Sequence, residues 1–171
     1  MKKYAGLITN DVVNGEGICV SFWVQGCPHH CVGCFNRETW DKDGGEPLPT
    51  DIVGQIVKAI STNGIQRNFS ILGGEPLCNW NINLVIDIVE RVRMAYPAIK
   101  IFLWTGYNME SLLESAERHN KVWAVLDKID VLIDGKFIEE QKDLTLHLRG
   151  SRNQTIWRKI DGIWTADTSN L

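Results

Sequence analysis

Gly26-Cys27-Pro28-His29-His30-Cys31-Val32-Gly33-Cys34-Phe35-Asn36 places three of the chain's five cysteines within one short loop, at C-x3-C-x2-C spacing. A cluster this tight is either a disulfide knot or a metal site. Cysteines three and four apart rarely reach bridging geometry, and one local loop cannot pair all three. The metal reading is therefore favoured. Structural zinc wants four ligands, usually as two pairs well separated in sequence. The other cysteines, Cys19 and Cys78, stand apart, so a fourth ligand would fall to His29 or His30. Closely spaced thiolates on a short irregular loop suit an iron–sulfur cluster better, although its usual electron-transfer form takes four cysteines. Three thiolates leave one position open, as a catalytic zinc does. The spacing favours a cluster over zinc and leaves both in play.

Outward from this loop the chain alternates strand and helix. Asn14–Gly17 is a turn, and Ile18–Val24 is rich enough in β-formers for a buried strand that delivers the cysteine loop at its end. In α/β folds, strand ends are where sites are built. Asp41–Pro49 reads as loop. Thr50-Asp51 offers an N-cap to a helix Ile52–Ser61, in which Ile52, Ile56 and Ile60 repeat every four residues. Phe69–Leu72 is a second strand, running into Gly73-Gly74-Glu75-Pro76. Two glycines let backbone approach a ligand closely, and a strand-end carboxylate can accept from an ammonium group. A helix Leu84–Tyr96, capped by Asn81 or Asn83, leads to a strand Ile99–Trp104 ending in Thr105-Gly106-Tyr107. A helix Met109–His119 precedes a strand Ile129–Ile133, which ends in Asp134-Gly135-Lys136-Phe137. This alternation predicts an α/β fold with a mostly parallel sheet and helices outside it. Asp161-Gly162, flanked by Thr155–Ile160 and Ile163–Thr165, signals a small C-terminal hairpin, added to a sheet edge and frayed after Ala166.

The 171 residues make one domain, with a core over about 17–137 and a C-terminal extension over about 138–171. That is too short for a full (β/α) barrel of ~250 residues. Hydrophobic and charged shares of 44% and 23%, with net charge −3, are those of an ordinary soluble chain and make no electrostatic case for nucleic acid or anionic membranes. No apolar run reaches the ~18 residues of a membrane span. Met1–Gly17 lacks the apolar stretch of a signal peptide. Five cysteines without such a signal point to the reducing cytoplasm. Cys19 and Cys78 read as a core residue and a buried spacer, and Trp23, Trp104 and Trp123 as core. His29 and His30 read as exposed or loop-packing side chains.

At the cysteine loop the chain resembles the radical S-adenosylmethionine (SAM) enzymes, whose C-x3-C-x2-C signature Cys27, Cys31 and Cys34 match. Gly26–Trp40, GCPHHCVGCFNRETW, is similar to one group among them, the activating proteins of the anaerobic ribonucleoside-triphosphate reductase. Many members carry an aromatic just before the last cysteine; this chain has Gly33 there and Phe35 just after it. Trp104–Tyr107, Asp130–Phe137 and Arg149–Gln154 resemble further motifs of that group. The resemblance implies a shortened, incomplete (β/α) barrel and a [4Fe–4S] cluster held by Cys27, Cys31 and Cys34. SAM would meet Gly73, Gly74 and Glu75, with Phe35, Asn36, Thr105, Asp134 and Lys136 completing the cofactor site. It further implies that a flavodoxin or ferredoxin supplies one electron, that SAM is cleaved reductively, and that a glycine Cα on the large subunit of the reductase loses hydrogen. Arg149–Gln154, with two guanidiniums and two amides, suits gripping the partner's loop or orienting the SAM carboxylate, with gripping favoured and a plain polar connection as the bland reading. The alternatives are another compact radical SAM enzyme acting on a small molecule, and a non-enzymatic iron–sulfur or zinc module for electron transfer or binding.

Overall fold

A computed structural model of the chain describes residues 1–118 and 120–169. Four parallel strands form the centre of one open, eight-stranded sheet: β2 (Cys19–Val24), β4 (Asn68–Gly73), β5 (Ile101–Trp104) and β6 (Val131–Asp134). Antiparallel strands extend it on both sides. β1 (Lys3–Asp11) pairs with β2 and carries the short β3 (Glu46–Pro47), while β7 (Thr155–Ile160) pairs with β6 and carries β8 (Ile163–Ala166). The full order is β3-β1-β2-β4-β5-β6-β7-β8. The expected hairpin is present at the expected sheet edge, turning at Asp161 and Gly162 with φ of 50° and 81°, both in the left-handed region that a tight two-residue turn needs.

The helices connect the parallel strands: α1 (Ile52–Ile60) between β2 and β4, α2 (Ile82–Ala95) between β4 and β5, and α3 (Met109–Arg118) with α4 (Asn120–Lys128) between β5 and β6. Period-two alternation along each strand divides the sheet into two faces. Val20, Phe22 and Val24, then Phe69 and Ile71, then Ile101 and Leu103 pack with the apolar stripes of all four helices in one core. Ile52, Ile56 and Ile60 form the buried stripe of α1, as their spacing predicts. The opposite set (Phe102, Val131, Ile133 and Ile156, with Trp104 and Leu148) forms a smaller cluster. Among the described residues that second face carries none of the four α-helices, and it is where the cleft lies.

Several sequence expectations are corrected here. β1 was not anticipated, because its residues are only half-buried and show no clean alternation; register shifts interrupt its pairing with β2. α4 was also missed, although Val122, Val125, Leu126 and Ile129 stand at helical spacing and are buried. The helix expected to end at His119 is described to Arg118, and His119 lies outside the described residues. Asp51 occupies the N-cap position of α1 without a capping hydrogen bond. Trp123 is 53% exposed, not in the core. Asp167 is not frayed: its N–H donates to Ile156 O at 2.8 Å and its carboxylate accepts from Arg158 Nε at 2.6 Å. Asn170 and Leu171, the end of the expected fray, lie outside the described residues.

Ionic contacts close the end of the sheet remote from the cysteine loop. Glu16, in the β1–β2 turn, accepts from Arg158 on β7 at 2.6 Å and from Lys100 before β5 at 2.8 Å. Burial pushes the Glu16 carboxyl up, but these two cations reverse that and hold it below its ordinary value. A carboxylate depressed in this way stabilises the fold above its unfolded pKa, and the contribution is lost as pH falls through the folded value. Glu16→Gln is therefore expected to cost about 1–2 kcal/mol at neutral pH, the low end for a partly exposed charged hydrogen bond. The gap between variant and native protein should close in denaturation curves recorded below about pH 4, within the range where an ordinary Glu titrates; a pH-independent gap would show that the ion pairs are not its source.

Candidate functional site

A cleft of about 420 Å³ opens where β2, β4, β5 and β6 end. Trp23, Leu72 and Trp104 wall it with apolar surface, and Cys27, Cys34, Phe35 and Asn36 line it from the cysteine loop. The other strand-end turns contribute Gly73-Gly74-Glu75, Thr105-Gly106, and Gly135 with Phe137. Trp23 and Trp104, expected in the core, are thus cleft walls. Trp104 donates its indole N–H to Leu148 O at 2.8 Å, which fixes the ring. A larger groove of about 690 Å³ beside α2, α3 and α4 holds none of the expected site residues.

The cysteine loop is held at its root by backbone. Gly26 N donates to Thr39 O at 2.7 Å and Cys27 N to Trp40 O at 3.0 Å, while Glu75 N donates back to Gly26 O at 2.9 Å. Asn81, expected as a helix cap, makes no capping hydrogen bond. Its buried amide instead donates to Gln25 O and Glu75 O, each at 3.0 Å, so it joins the cysteine loop to the Gly-Gly-Glu turn. Only the fold brings those carbonyls together; in sequence, Asn81 reads as nothing more than a cap.

All five cysteines are free. Cys19 and Cys78 are buried outside the loop's own sequence, and Cys78 Sγ donates to Glu75 O at 3.0 Å, in the turn that bonds the root of the loop. Burial pushes the Cys27 thiol up to about 11, with the His29 and His30 amides partly offsetting it. Burial also raises Cys31, offset in part by the Phe137 amide and the nearby Lys136 charge. Cys34 Sγ accepts from Asn36 N at 3.4 Å. Partly desolvated sulfurs approached by peptide N–H groups suit thiolate ligation, in which such hydrogen bonds tune the bound group. His29 Nε2 lies 2.8 Å from Glu75 Oε2, and the His30 ring stacks on Trp40 at 4.8 Å. The donor set is three thiols, which fits a four-iron cluster with one iron open.

Glu75 is fully buried. Its Oε1 accepts from Leu77 N at 2.9 Å and Thr105 Oγ1 at 2.8 Å; its Oε2 accepts from Gly106 N at 2.7 Å and from His29 Nε2. All four of these donors come from the protein, and Gly73, Gly74 and Glu75 line the cleft together. The Asp134 oxygens accept from Met109 N at 2.7 Å and Thr155 N at 3.2 Å, and neither Asp134 nor Lys136 lines the cleft. The place of Asp134 at the end of β6 puts it against the first turn of α3, whose N–H groups need an acceptor. Asn153 and Gln154 are likewise committed internally, donating to Lys136 O and Gly135 O at 2.8 and 2.9 Å. They fasten the Arg149–Gln154 stretch to the β6 turn and are not offered to a partner, whereas Arg149 itself lines the cleft.

The family model for a 4Fe-4S single cluster domain matches residues 13–157. A protein of Vibrio cholerae, named anaerobic ribonucleoside-triphosphate reductase-activating protein, is 40% identical over 149 residues, covering 86% of this chain and 92% of its own. The proteins of the same name from Escherichia coli K12 and from phage T4 are 37% and 36% identical, the latter over 96% of this chain and 99% of its own.

A Cβ placed on Gly74 would overlap the carbonyl of Gly26, whereas one on Gly6 would meet nothing within 4 Å. Gly74→Ala is therefore expected to cost about 1–3 kcal/mol of stability as an overpacking change. Gly6→Ala is expected to stay within about 0.5 kcal/mol. Denaturant titrations of the two variants make the comparison, and equal costs would show that the close approach of the two turns is not tight.

Proposed function

The chain belongs to the anaerobic ribonucleoside-triphosphate reductase-activating proteins, and on that premise we propose how its cleft serves a glycyl-radical activase. The observation that carries the reading is the convergence of the cysteine loop, through Cys27 and Cys34, and the Gly-Gly-Glu turn on one cleft. Cys27, Cys31 and Cys34 would hold a [4Fe–4S] cluster, and the Gly73-Gly74 backbone would meet SAM. When bound, those groups would supply the chemistry by which one electron from an external donor cleaves SAM and a glycine of the reductase loses hydrogen.

The chain's own contribution is orientation and exclusion. The two glycines bring bare backbone to the ligand's polar end, a fitting surface for an ammonium. Glu75 and Thr105, joined at 2.8 Å, hold that turn to the end of β5. Trp23, Leu72, Trp104 and Phe35 make a largely apolar enclosure, which keeps water from a reactive intermediate. Phe35 and Asn36 contact the ligand from the cysteine loop; Lys136 acts on the Cys31 side. The open sheet is read as a shortened (β/α) barrel whose helix-free face admits the partner's loop. The electron donor is a flavodoxin or ferredoxin, and the compartment is the cytoplasm. No helix among the described residues is long and apolar enough to cross a membrane.

Anaerobic reconstitution with iron and sulfide tests this directly. Cys27→Ala, Cys31→Ala and Cys34→Ala are each expected to abolish the cluster absorption, while Cys19→Ala and Cys78→Ala keep it. The native protein with a chemical reductant should convert SAM to 5′-deoxyadenosine and methionine, and give a glycyl radical signal when the reductase is added. Loss of the cluster in Cys78→Ala would overturn the ligand set; a loaded protein that leaves SAM intact would reduce the chain to an electron-transfer module.

A further inference from the structure

The adjacent histidines of the cysteine loop point to different walls. His30 is exposed and stacks on Trp40, with Arg37 on the same indole at 5.2 Å. His29 is turned inward, and its side chain is only 7% exposed. It stands midway between Cys27 and Cys31, two residues from each. Its Nε2 donates to Glu75 Oε2, because a carboxylate has only lone pairs to offer.

The imidazole sits in a socket built for it. Gly106 forms one side, and a Cβ there would overlap the ring. Tyr107 meets it edge-on at 4.7 Å. Of the four donors to Glu75, Leu77 N, Thr105 Oγ1 and Gly106 N belong to the ends of β4 and β5; His29 is the one that comes from the cysteine loop. The loop's other links to this turn, Glu75 N to Gly26 O and the Asn81 amide, lie at its root, before the first cysteine.

We propose that His29 is a positioning residue that ties the middle of the cysteine loop to the Gly-Gly-Glu turn, setting the register between the three thiolates and the backbone that meets the ligand. Without the tie, what remains to place the segment between Cys27 and Cys31 is its root, the surface stack of His30 and the Phe137 amide beside Cys31. The cysteines would still load, but the open iron would no longer stand at a fixed distance from Gly73 and Gly74. The inference rests on the proposed function for the identity of the ligand, while the tie itself is a contact within the protein.

The experiment uses the full chain, reconstituted anaerobically, and reads three quantities: iron content, the electron paramagnetic resonance signal of the reduced cluster with and without SAM, and SAM affinity. His29→Leu keeps bulk and removes the donor; His29→Gln restores an N–H at comparable reach. Gly106→Ala displaces the imidazole without altering it, and His30→Ala removes the other contact of the same loop. The expected result is near-native iron content throughout, with SAM affinity about ten- to a hundred-fold weaker in His29→Leu, as for a lost charged hydrogen bond. The SAM-induced change in the signal should be lost in His29→Leu and Gly106→Ala and retained in His29→Gln and His30→Ala. Native behaviour of His29→Leu overturns the proposal. So does tighter SAM binding by that variant, since the imidazole would then be a competitor for the ligand's place. Equal loss of iron in His29→Leu and His29→Gln also overturns it, by making the residue necessary to the loop whatever it donates. If the native signal ignores SAM, the cofactor reading fails instead. The tie is then judged by the cluster signal alone, which His29→Leu should alter and His29→Gln should not.

Discussion

A fully buried carboxylate with four donors is the contact on which the arrangement of this site depends. Removing an anion from water is costly unless its lone pairs are met, and the cost of an unmet one falls on whatever part of the fold failed to supply the donor. Glu75 is met from three directions: by Leu77 in its own turn, by Thr105 and Gly106 at the end of β5, and by His29 in the cysteine loop. These segments are distant in sequence and have little apolar surface in common. Their common anion makes their positions mutually dependent, which apolar packing between irregular turns does poorly because it is not directional.

The sheet decides which side such a site occupies. All four helices bury their stripes against one face, in a core reaching from Val20 to Leu132. The other face has only a small cluster, and above it the strand-end turns enclose a cleft lined by Trp23, Leu72 and Trp104. Parallel strands carry their turns at the same end, so every loop that follows one of them opens onto the same space. The antiparallel additions β1 and β7 widen the sheet without adding a helix, and the ionic contacts of Glu16 and Arg158 join them at the far end. A face open to this extent suits a substrate that is a segment of another protein.

Electrostatics within the cleft are local. Burial works against ionisation at Cys27 and Cys31, and peptide N–H groups from neighbouring turns work for it. Loading a metal cluster displaces those protons, so ligation and deprotonation are one event. The chain's net charge of −3 contributes nothing comparable, being spread over a surface on which solvent and salt screen it.

Sequence alone determined the elements whose physics is local. The stripe of Ile52, Ile56 and Ile60 makes a helix, Asp161-Gly162 makes a hairpin, and the spacing of Cys27, Cys31 and Cys34 points to a metal loop. Each of these depends on residues a few positions apart, where period, turn chemistry and ligand reach can be read directly. β1 escaped because a strand flanked on its outer side only by the two-residue β3 is half-buried and keeps no alternation. The roles of His29, Asn81 and Asp134 escaped for a different reason. A histidine in a loop, an asparagine before a helix and an aspartate ending a strand each have many partners available to them. Which one is taken depends on what lies opposite after folding: Glu75 for His29, the carbonyls of Gln25 and Glu75 for Asn81, the N–H of Met109 for Asp134. Hydrogen bonds have a reach of about 3 Å and a direction, so that choice is made by tertiary structure and cannot be read from composition or spacing.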